Sequence, residues 1–196
     1  MKQLTLILVA LVIGTSAKSQ TDYTKSLSGI EWVKIESKSD IILKTHSADE
    51  LLIKSSRTSK TSERAKGLRL VGEGGSDNTD VSFYVVQDGN TLIVKSLRKN
   101  DKGEIYLPKN QNISVKSTWH GDIEIEGFSG EIEADAELNG SIEILDTNGP
   151  VTANALNGEV TVEFGKVKQD SPISIYTTNG EVDVALPTNT PSDLVM

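Results

Sequence analysis

The residues of this chain that could do chemistry are mainly carboxylates, which recur at regular spacing in its second half. Four of them, Glu124, Glu143, Glu159 and Glu181, are candidates for binding a cation. If the segments that carry them stack about 4.8 Å apart, as neighbouring strands do, Glu124 lies beside Glu143 and Glu159 beside Glu181. Carboxylate oxygens from adjacent segments would then suit Ca²⁺.

Solvent screening of the same carboxylates is the alternative to cation binding. Like charges at this distance repel by about 1 kcal/mol in water, and by more where solvent is excluded. Ser141 and Thr161 interrupt the two columns of acids. This interruption favours dilution of the repulsion, so we predict no dedicated metal site.

The two histidines, His46 and His120, do not complete a catalytic set. His120 takes a turn position that asparagine holds in similar segments, and a turn with positive φ tolerates either residue. His46 has only acids near it in sequence, Asp49 and Glu50, and one histidine with acids is not a metal site. No Ser-His-Asp, Cys-His or His-cluster arrangement can be assembled, and we predict a non-catalytic protein without a cofactor.

Aromatic residues and arginines leave two further possibilities open. Trp119 and Phe128 precede turn glycines, where packing at a corner is favoured over stacking on a glycan. Trp32 is a candidate for covering an open end of the fold. A carbohydrate-active β-helix enzyme would combine clustered acids with Arg or Lys, but the turns are only two or three residues long and leave little with which to build a cleft.

An internal repeat makes up most of the second half of the chain, and its secondary-structure elements must position the residues named above. From residue 119 onward, two turn residues, a glycine and one further residue precede alternating Ile or Val. The glycines of the repeat are Gly121, Gly130, Gly140, Gly149, Gly158 and Gly180. The first five are separated by 9, 10, 9 and 9 residues, and the last gap is 22 residues.

The alternation of the repeat predicts short β-strands with aliphatic residues on one face and carboxylates on the other. One such strand cannot bury its apolar face alone, but stacked units can. We therefore predict an all-β fold, a parallel β-solenoid or β-helix with short Asn-Gly turns and about 18–20 residues per coil of two strands. Asn-Gly also supplies the positive φ of a tight hairpin, so an antiparallel meander is the alternative.

The chain upstream of the repeat is less regular. We predict short strands over Val33–Glu36, Ile41–Lys44 and Leu51–Lys54. A hairpin is expected where Val81–Val86 and Thr91–Val94 flank Asp88-Gly89. Thr61–Lys66 is expected to form one helical turn and Gly72–Asp80 a polar loop. Nothing in the composition divides residues 21–196, which we predict to be a single domain.

The first residues predict export. Lys2 precedes the apolar run Leu4–Ile13, and small residues follow, which is the layout of a secretory signal peptide. We assign the signal peptide to residues 1–20, with cleavage after Ala17 or after Ser19. The run is too short to span a bilayer, so we expect the mature chain to be soluble.

Charge and cysteine content restrict the partners of the mature chain. The sequence has no cysteine, which excludes disulfides and a lipoprotein anchor, and its net charge is −8, with 28 acidic against 20 basic residues. Removal of Lys2 and Lys18 with the signal peptide leaves 18 basic residues and a net charge of −10. Such a charge disfavours nucleic acid and anionic lipid surfaces. We expect a protein or glycan partner at the cell envelope, and association of open strand edges end to end.

These features resemble a bacterial adhesin family, whose members are secreted β-solenoid domains of unknown function. The matching residues are the Asn-Gly and Gly-Glu-Val repeats, Arg64–Arg69, Asp77–Thr79 and the run Pro172–Pro187. The similarity covers most of residues 30–196. It implies a surface or secreted location, and it brings no catalytic residues.

The end of the sequence echoes an earlier segment. Leu186-Pro187-Thr188-Asn189 resembles Leu107-Pro108-Lys109-Asn110, which leads into the predicted strand Ile113–Val115. Members of the resembled family carry a further coil after this point, so we expect that the chain is truncated. The predicted function is that of an adhesin-like structural or binding module at the envelope, and an envelope regulatory or protein-interaction component is the alternative.

Overall fold

The computed structural model describes residues 22–54, 67–72, 75–99, 102–168, 171–188 and 190–191. The fold is all-β: 58% of the chain is β-strand, and the described residues contain no helix. No helix in these ranges is therefore long and apolar enough to cross a membrane. The predicted signal peptide over residues 1–20 and the predicted helical turn over Thr61–Lys66 lie outside the described residues.

The strands of the first half include those that the sequence predicted. They are β1 (Tyr23–Ser26), β2 (Trp32–Ser37), β3 (Ile41–His46), β4 (Glu50–Ile53), β5 (Val71–Gly72), β6 (Gly75–Ser76), β7 (Phe83–Asp88), β8 (Thr91–Ser96) and β9 (Gly103–Pro108). The predicted hairpin is confirmed, because β7 and β8 pair antiparallel on either side of Gly89. Within the predicted loop Gly72–Asp80, Gly72, Gly75 and Ser76 belong to the short β5–β6 ribbon, while residues 77–80 form no strand.

The repeat forms the remaining strands. They are β10 (Asn112–Ser117), β11 (Ile123–Glu126), β12 (Ile132–Ala136), β13 (Ile142–Thr147), β14 (Val151–Asn157), β15 (Val160–Phe164), β16 (Ser174–Asn179) and β17 (Val182–Ala185). They alternate between two sheets, with the even-numbered strands in one and the odd-numbered strands in the other. From β10 to β15, each strand pairs in parallel with the strand two places further along, so the antiparallel meander is excluded here.

Two consecutive strands, one in each sheet, make up a two-strand unit. Neighbouring units bring together residues 19 positions apart, as His120 and Asn139 show. The order of units along the stack is β8–β9, β2–β3, β10–β11, β12–β13, β14–β15 and β16–β17. The unit β2–β3 thus lies between two units that follow it in the sequence, because β2 pairs in parallel with both β8 and β10.

The stack ends differently on its two sides. At one end, antiparallel strands cover the last parallel unit: β7 pairs with β8, and β4 pairs with β9. At the other end, which we call the open end, the outer edges of β16 and β17 pair with no other strand in the described part of the chain. Between the ends, the inward residues of both sheets form one core, in which Ile113, Ile142 and Val162 are each 0–1% exposed.

The glycines of the repeat permit close approach of successive units at the corners. A Cβ on Gly140 would lie 2.2 Å from the carbonyl oxygen of Gly121, and one on Gly149 would lie 1.8 Å from that of Gly130. The same conflict arises at Gly158 and Gly180. Real contacts are never this short, so a side chain here would force two units apart.

The prediction that asparagine or His120 adopts the positive φ of a tight turn at these positions is wrong. Neither the four repeat asparagines nor His120 has a positive φ. The corners are not hairpin reversals. Each runs from one sheet to the other and donates hydrogen bonds to the next corner, as the amide of Gly140 does to the carbonyl oxygen of Asn157 at 3.2 Å.

Substitution of a corner glycine should separate two units. Gly149→Ala is expected to lower the free energy of unfolding by about 2–3 kcal/mol, because the added methyl group meets backbone that cannot move independently. Gly165→Ala is the matched control. Its nearest atoms, 2.8 and 2.9 Å away, are the side-chain oxygens of Asp146 and Asn148, which can rotate aside. Equal losses for both variants in urea denaturation would contradict this account of the corners.

Candidate functional site

The open end exposes residues that are core residues everywhere else in the stack. Val182 and Val184 on β17 are 46% and 37% exposed, whereas their register partners Val160 and Val162 on β15 are fully buried. The side chains point the same way in both strands. The difference arises because β15 is covered by β17 while β17 is covered by no described strand.

The inward face of β16, the edge strand of the other sheet, is partly exposed. Ile173, just before the strand, is 37% exposed and Ile175 is partly buried against the core, whereas Tyr176, 58% exposed, faces outward opposite Asn154. An edge strand with open backbone groups and exposed apolar side chains is a template for pairing with another extended chain.

Acidic side chains lie at the open end. Asp183 points outward from β17, Glu181 precedes the strand, and Glu163 lies opposite Ala185 on β15. Residues 171–196 contain no Lys or Arg. The open end therefore combines apolar area with negative charge.

The predicted cation candidates are brought together only in pairs. Glu124 lies directly opposite Glu143 in the β11–β13 register, as expected. Lys102 Nζ lies 3.1 Å from Glu124 Oε1 and balances that carboxylate. Thr161 follows Glu143 in the same column, as the sequence indicated. Within the described ranges no three His, Cys, Asp or Glu side chains are grouped so that they could hold a metal ion.

Glu159 and Glu181 lie at the corner of adjacent units. The amide of Ile142 donates to the carbonyl oxygen of Glu159, and that of Val160 donates to the carbonyl oxygen of Glu181, each at 2.9 Å. Ser141 stands in the same column and accepts a hydrogen bond from the Glu159 amide at 3.3 Å. These glutamates therefore belong to the stacking of the corners, and their side chains face solvent.

His120 belongs to a ladder of amide side chains along one corner. Asn179 Nδ2 donates to Asn157 Oδ1 at 2.9 Å, and Asn157 Nδ2 donates to Asn139 Oδ1 at 3.3 Å. Asn139 Nδ2 lies 3.0 Å from His120 Nδ1. Because an amide nitrogen can only donate, Nδ1 accepts this hydrogen bond. His120 thus occupies the predicted asparagine-equivalent position. His46, on β3, bonds through Nε2 to the carbonyl oxygen of Glu50.

Sequence reasoning missed a polar cluster on the outer face of β9. The hydroxyl of Tyr106 donates to Glu104 Oε1 at 2.5 Å, and Lys54 Nζ lies 5.9 Å from the centre of the Tyr106 ring. The hydrogen bond to Glu104, followed by partial burial, raises the pKa of Tyr106 above its ordinary value. The two-residue spacing of Glu104 and Tyr106 on a strand was the available signal. Lys54 also pairs with Asp22 at 2.9 Å, so the cluster ties β1 and β4 to β9.

The aromatic predictions have mixed outcomes. Phe128 is fully buried, as predicted for a corner residue, whereas Trp119 is 54% exposed and meets His120 edge to face at 5.2 Å between ring centres. Trp32 does not cover the open end. It lies on β2 in the middle of its sheet, with Thr91 on one side and Asn112 on the other.

Comparison of the chain with protein-family models, curated proteins and solved structures finds no match. The resemblance to the adhesin family therefore stays a prediction.

Equivalent valines on β15 and β17 should differ in what they contribute to stability. Val162→Ala removes two buried methyl groups and should cost about 2 kcal/mol, whereas Val184→Ala should cost less than about 1 kcal/mol because its side chain already contacts solvent. Urea denaturation of the two variants measures the difference. A loss at Val184 that equals the loss at Val162 would show that the open end is covered in solution.

Proposed function

We propose that this protein is an exported, non-catalytic β-solenoid module of the bacterial envelope or surface. In this proposal an extended strand adds to the open end, supplied by a partner protein or by the further coil that the resemblance to the adhesin family implies. The observation that carries it is the exposure of Val182 and Val184, in register with buried valines, on a strand whose outer edge is unoccupied in the described part of the chain.

The repeat geometry supports the solenoid. Successive strands alternate between two sheets, and contacts between neighbouring units join residues 18, 19 or 22 positions apart. The two shorter separations agree with the expected coil of about 18–20 residues. The longest corresponds to the wider glycine gap before Gly180. Such a stack offers the same edge geometry at every level, so an added strand continues a pattern that the protein already uses.

Strand addition provides both affinity and selectivity at this end. Main-chain hydrogen bonds to β17 would supply affinity, and alternate side chains of the added strand would cover Val182 and Val184. The outward side chains of that strand would lie beside Glu181 and Asp183. Those carboxylates select for lysine or arginine at the outward positions.

Charge favours a partner protein over a second copy of this chain. Two open ends that met would bring the Glu181 and Asp183 carboxylates of both copies together, with no Lys or Arg from residues 171–196 to balance them. Like charges that face each other disfavour such a contact. End-to-end association is therefore the less favoured use of this edge.

Other residues support the proposals that the protein is exported and that it is not an enzyme. The charged start, apolar run and small residues of positions 1–20 support export, and a cysteine-free chain suits a fold held by strand pairing. The short corners bond to one another, and the depression lined by Glu124 and Glu143 holds only about 80 Å³, which supports a binding role over a carbohydrate-active enzyme. An adhesin-like role and an envelope regulatory role would both use the strand-binding end.

A synthetic peptide that alternates valine with lysine should bind the open end. Fluorescence anisotropy with the labelled peptide is expected to show saturable binding to the mature chain. A peptide that alternates valine with glutamate should bind at least about tenfold more weakly, because its outward charges repel Asp183 and Glu181. Asp183→Lys should weaken binding of the lysine peptide by a similar factor.

Glu133→Lys is the matched control for Asp183→Lys. Glu133 is also an exposed, outward acid in mid-strand, but it lies on β12, which is paired on both sides. Its substitution makes the same change in net charge and should leave peptide binding unchanged. Absence of saturable binding, or equal effects of the two substitutions, would overturn the strand-addition proposal.

A further inference from the structure

Asparagine precedes glycine at four corners of the stack, and we propose that one of these pairs is a site of spontaneous covalent modification. The four pairs are Asn139-Gly140, Asn148-Gly149, Asn157-Gly158 and Asn179-Gly180. Asparagine loses its side-chain amide most readily before glycine, because glycine has no side chain to shield its backbone nitrogen or restrict its rotation. The proposed modification is deamidation of Asn179, at the open end.

The reaction needs water and no other reagent. The backbone nitrogen of Gly180 attacks Cγ of Asn179, and a C–N bond forms. The side-chain amide leaves as ammonia, which carries away the proton of the attacking nitrogen. Water then adds to one of the two carbonyls of the resulting five-membered imide and opens the ring. The product is either aspartate or isoaspartate, whose main chain runs through the former side chain.

The inner corners of the amide ladder oppose the first step because their glycine nitrogens are held. The amide of Gly140 donates to the carbonyl oxygen of Asn157 at 3.2 Å, and that of Gly158 donates to the carbonyl oxygen of Asn179 at 3.1 Å. Asn157 and Gly158 are also half-buried. Attack at these corners would require the nitrogen to leave its acceptor and the backbone to rotate between two stacked units.

Close packing restrains the pair Asn148-Gly149. Gly149 is buried, and a Cβ at this position would lie 1.8 Å from the carbonyl oxygen of Gly130. Backbone that contacts another unit so closely cannot rotate unless the two units separate. Deamidation of Asn148 is therefore tied to local opening of the stack.

The corner at the open end is restrained on its inner side only. Asn179 and Gly180 are both exposed to solvent. Within the ranges that the structure describes, no carbonyl oxygen accepts a hydrogen bond from the Gly180 amide. Asn179 Nδ2 does donate to Asn157 Oδ1, but Asn157 makes the equivalent bond to the next asparagine of the ladder. Solvent exposure of the whole pair is what distinguishes Asn179-Gly180.

Deamidation would alter the terminal unit in two ways. Asn179 Nδ2 lies 2.9 Å from Asn157 Oδ1, and a carboxylate in its place would set two acceptors against each other. Isoaspartate would also add one carbon to the main chain between β16 and β17. A Cβ on Gly180 would already lie 2.0 Å from the carbonyl oxygen of Gly158, so a longer main chain disturbs this contact. The converted chain should have a looser open end and one more negative charge there.

Peptide mapping of the mature chain after incubation in mildly alkaline buffer tests the site. A protease that cleaves after glutamate isolates residues 164–181, which contain Asn179 and none of the other three asparagines. Mass spectrometry is expected to show conversion of Asn179 at least about tenfold faster than conversion at the inner pairs. A factor of this size is expected when reaction at the inner pairs requires local opening of the stack.

Two glutamine variants provide the matched comparison. Asn179→Gln keeps an amide but would need a six-membered imide, which forms more slowly, so it should remove most of the ammonia that the folded chain releases. Asn157→Gln makes the same change at a half-buried corner and should remove little. Thermal unfolding of each variant establishes that it is folded.

Unfolded chain provides the reference rate. In urea the four pairs should convert at similar rates, because the same two residues react in each. Equal rates at Asn179 and Asn157 in the folded chain, or equal effects of the two glutamine variants, would overturn the proposal. A preference for Asn179 that persists in urea would trace it to sequence and contradict the role of the corners. The reaction requires no partner, so these outcomes are independent of strand addition.

Discussion

Close backbone contact between successive corners is the constraint on which the structure depends. Parallel strands in both sheets keep their register only if the corner segments that join the two sheets also stack on one another. Glycine makes this possible at Gly121, Gly140 and Gly158, where any side chain would strike the preceding unit. The amide ladder from His120 to Asn179 then satisfies polar groups along the same corner. Buried aliphatic residues supply the stability, and the corners determine which units can be neighbours.

The same constraint explains why the two ends of the stack differ. A unit covered on both sides buries its valines and isoleucines completely, and each terminal unit needs something else. Antiparallel strands cover one end, and the Lys54–Tyr106 and Lys54–Asp22 contacts link β4 and β1 to β9. The open end keeps the backbone edge and the apolar side chains that an added strand would use.

The sequence predicted the elements better than their order. Period-two alternation located the strands, and the glycine spacing indicated two strands per unit and parallel neighbours. The two Leu-Pro segments share one hydrogen bond, since the amide of Gln111 donates to the carbonyl oxygen of Pro108 and that of Thr190 to the carbonyl oxygen of Pro187. The insertion of β2–β3 between later units could not be predicted, because Val33 and Ile35 present the same inward pattern as Ile113 and Val115.

Amide hydrogen exchange at the corner glycines tests the central claim most directly. In the stacked corners the amides of Gly121, Gly140 and Gly158 donate to the carbonyl oxygens of Asn139, Asn157 and Asn179 at 3.1–3.2 Å. Exchange measured by NMR should therefore show protection at these glycines comparable to that of the adjoining strands. Exchange as fast as in a solvent-exposed hairpin turn would contradict the stacking of corners, and with it the account of both ends.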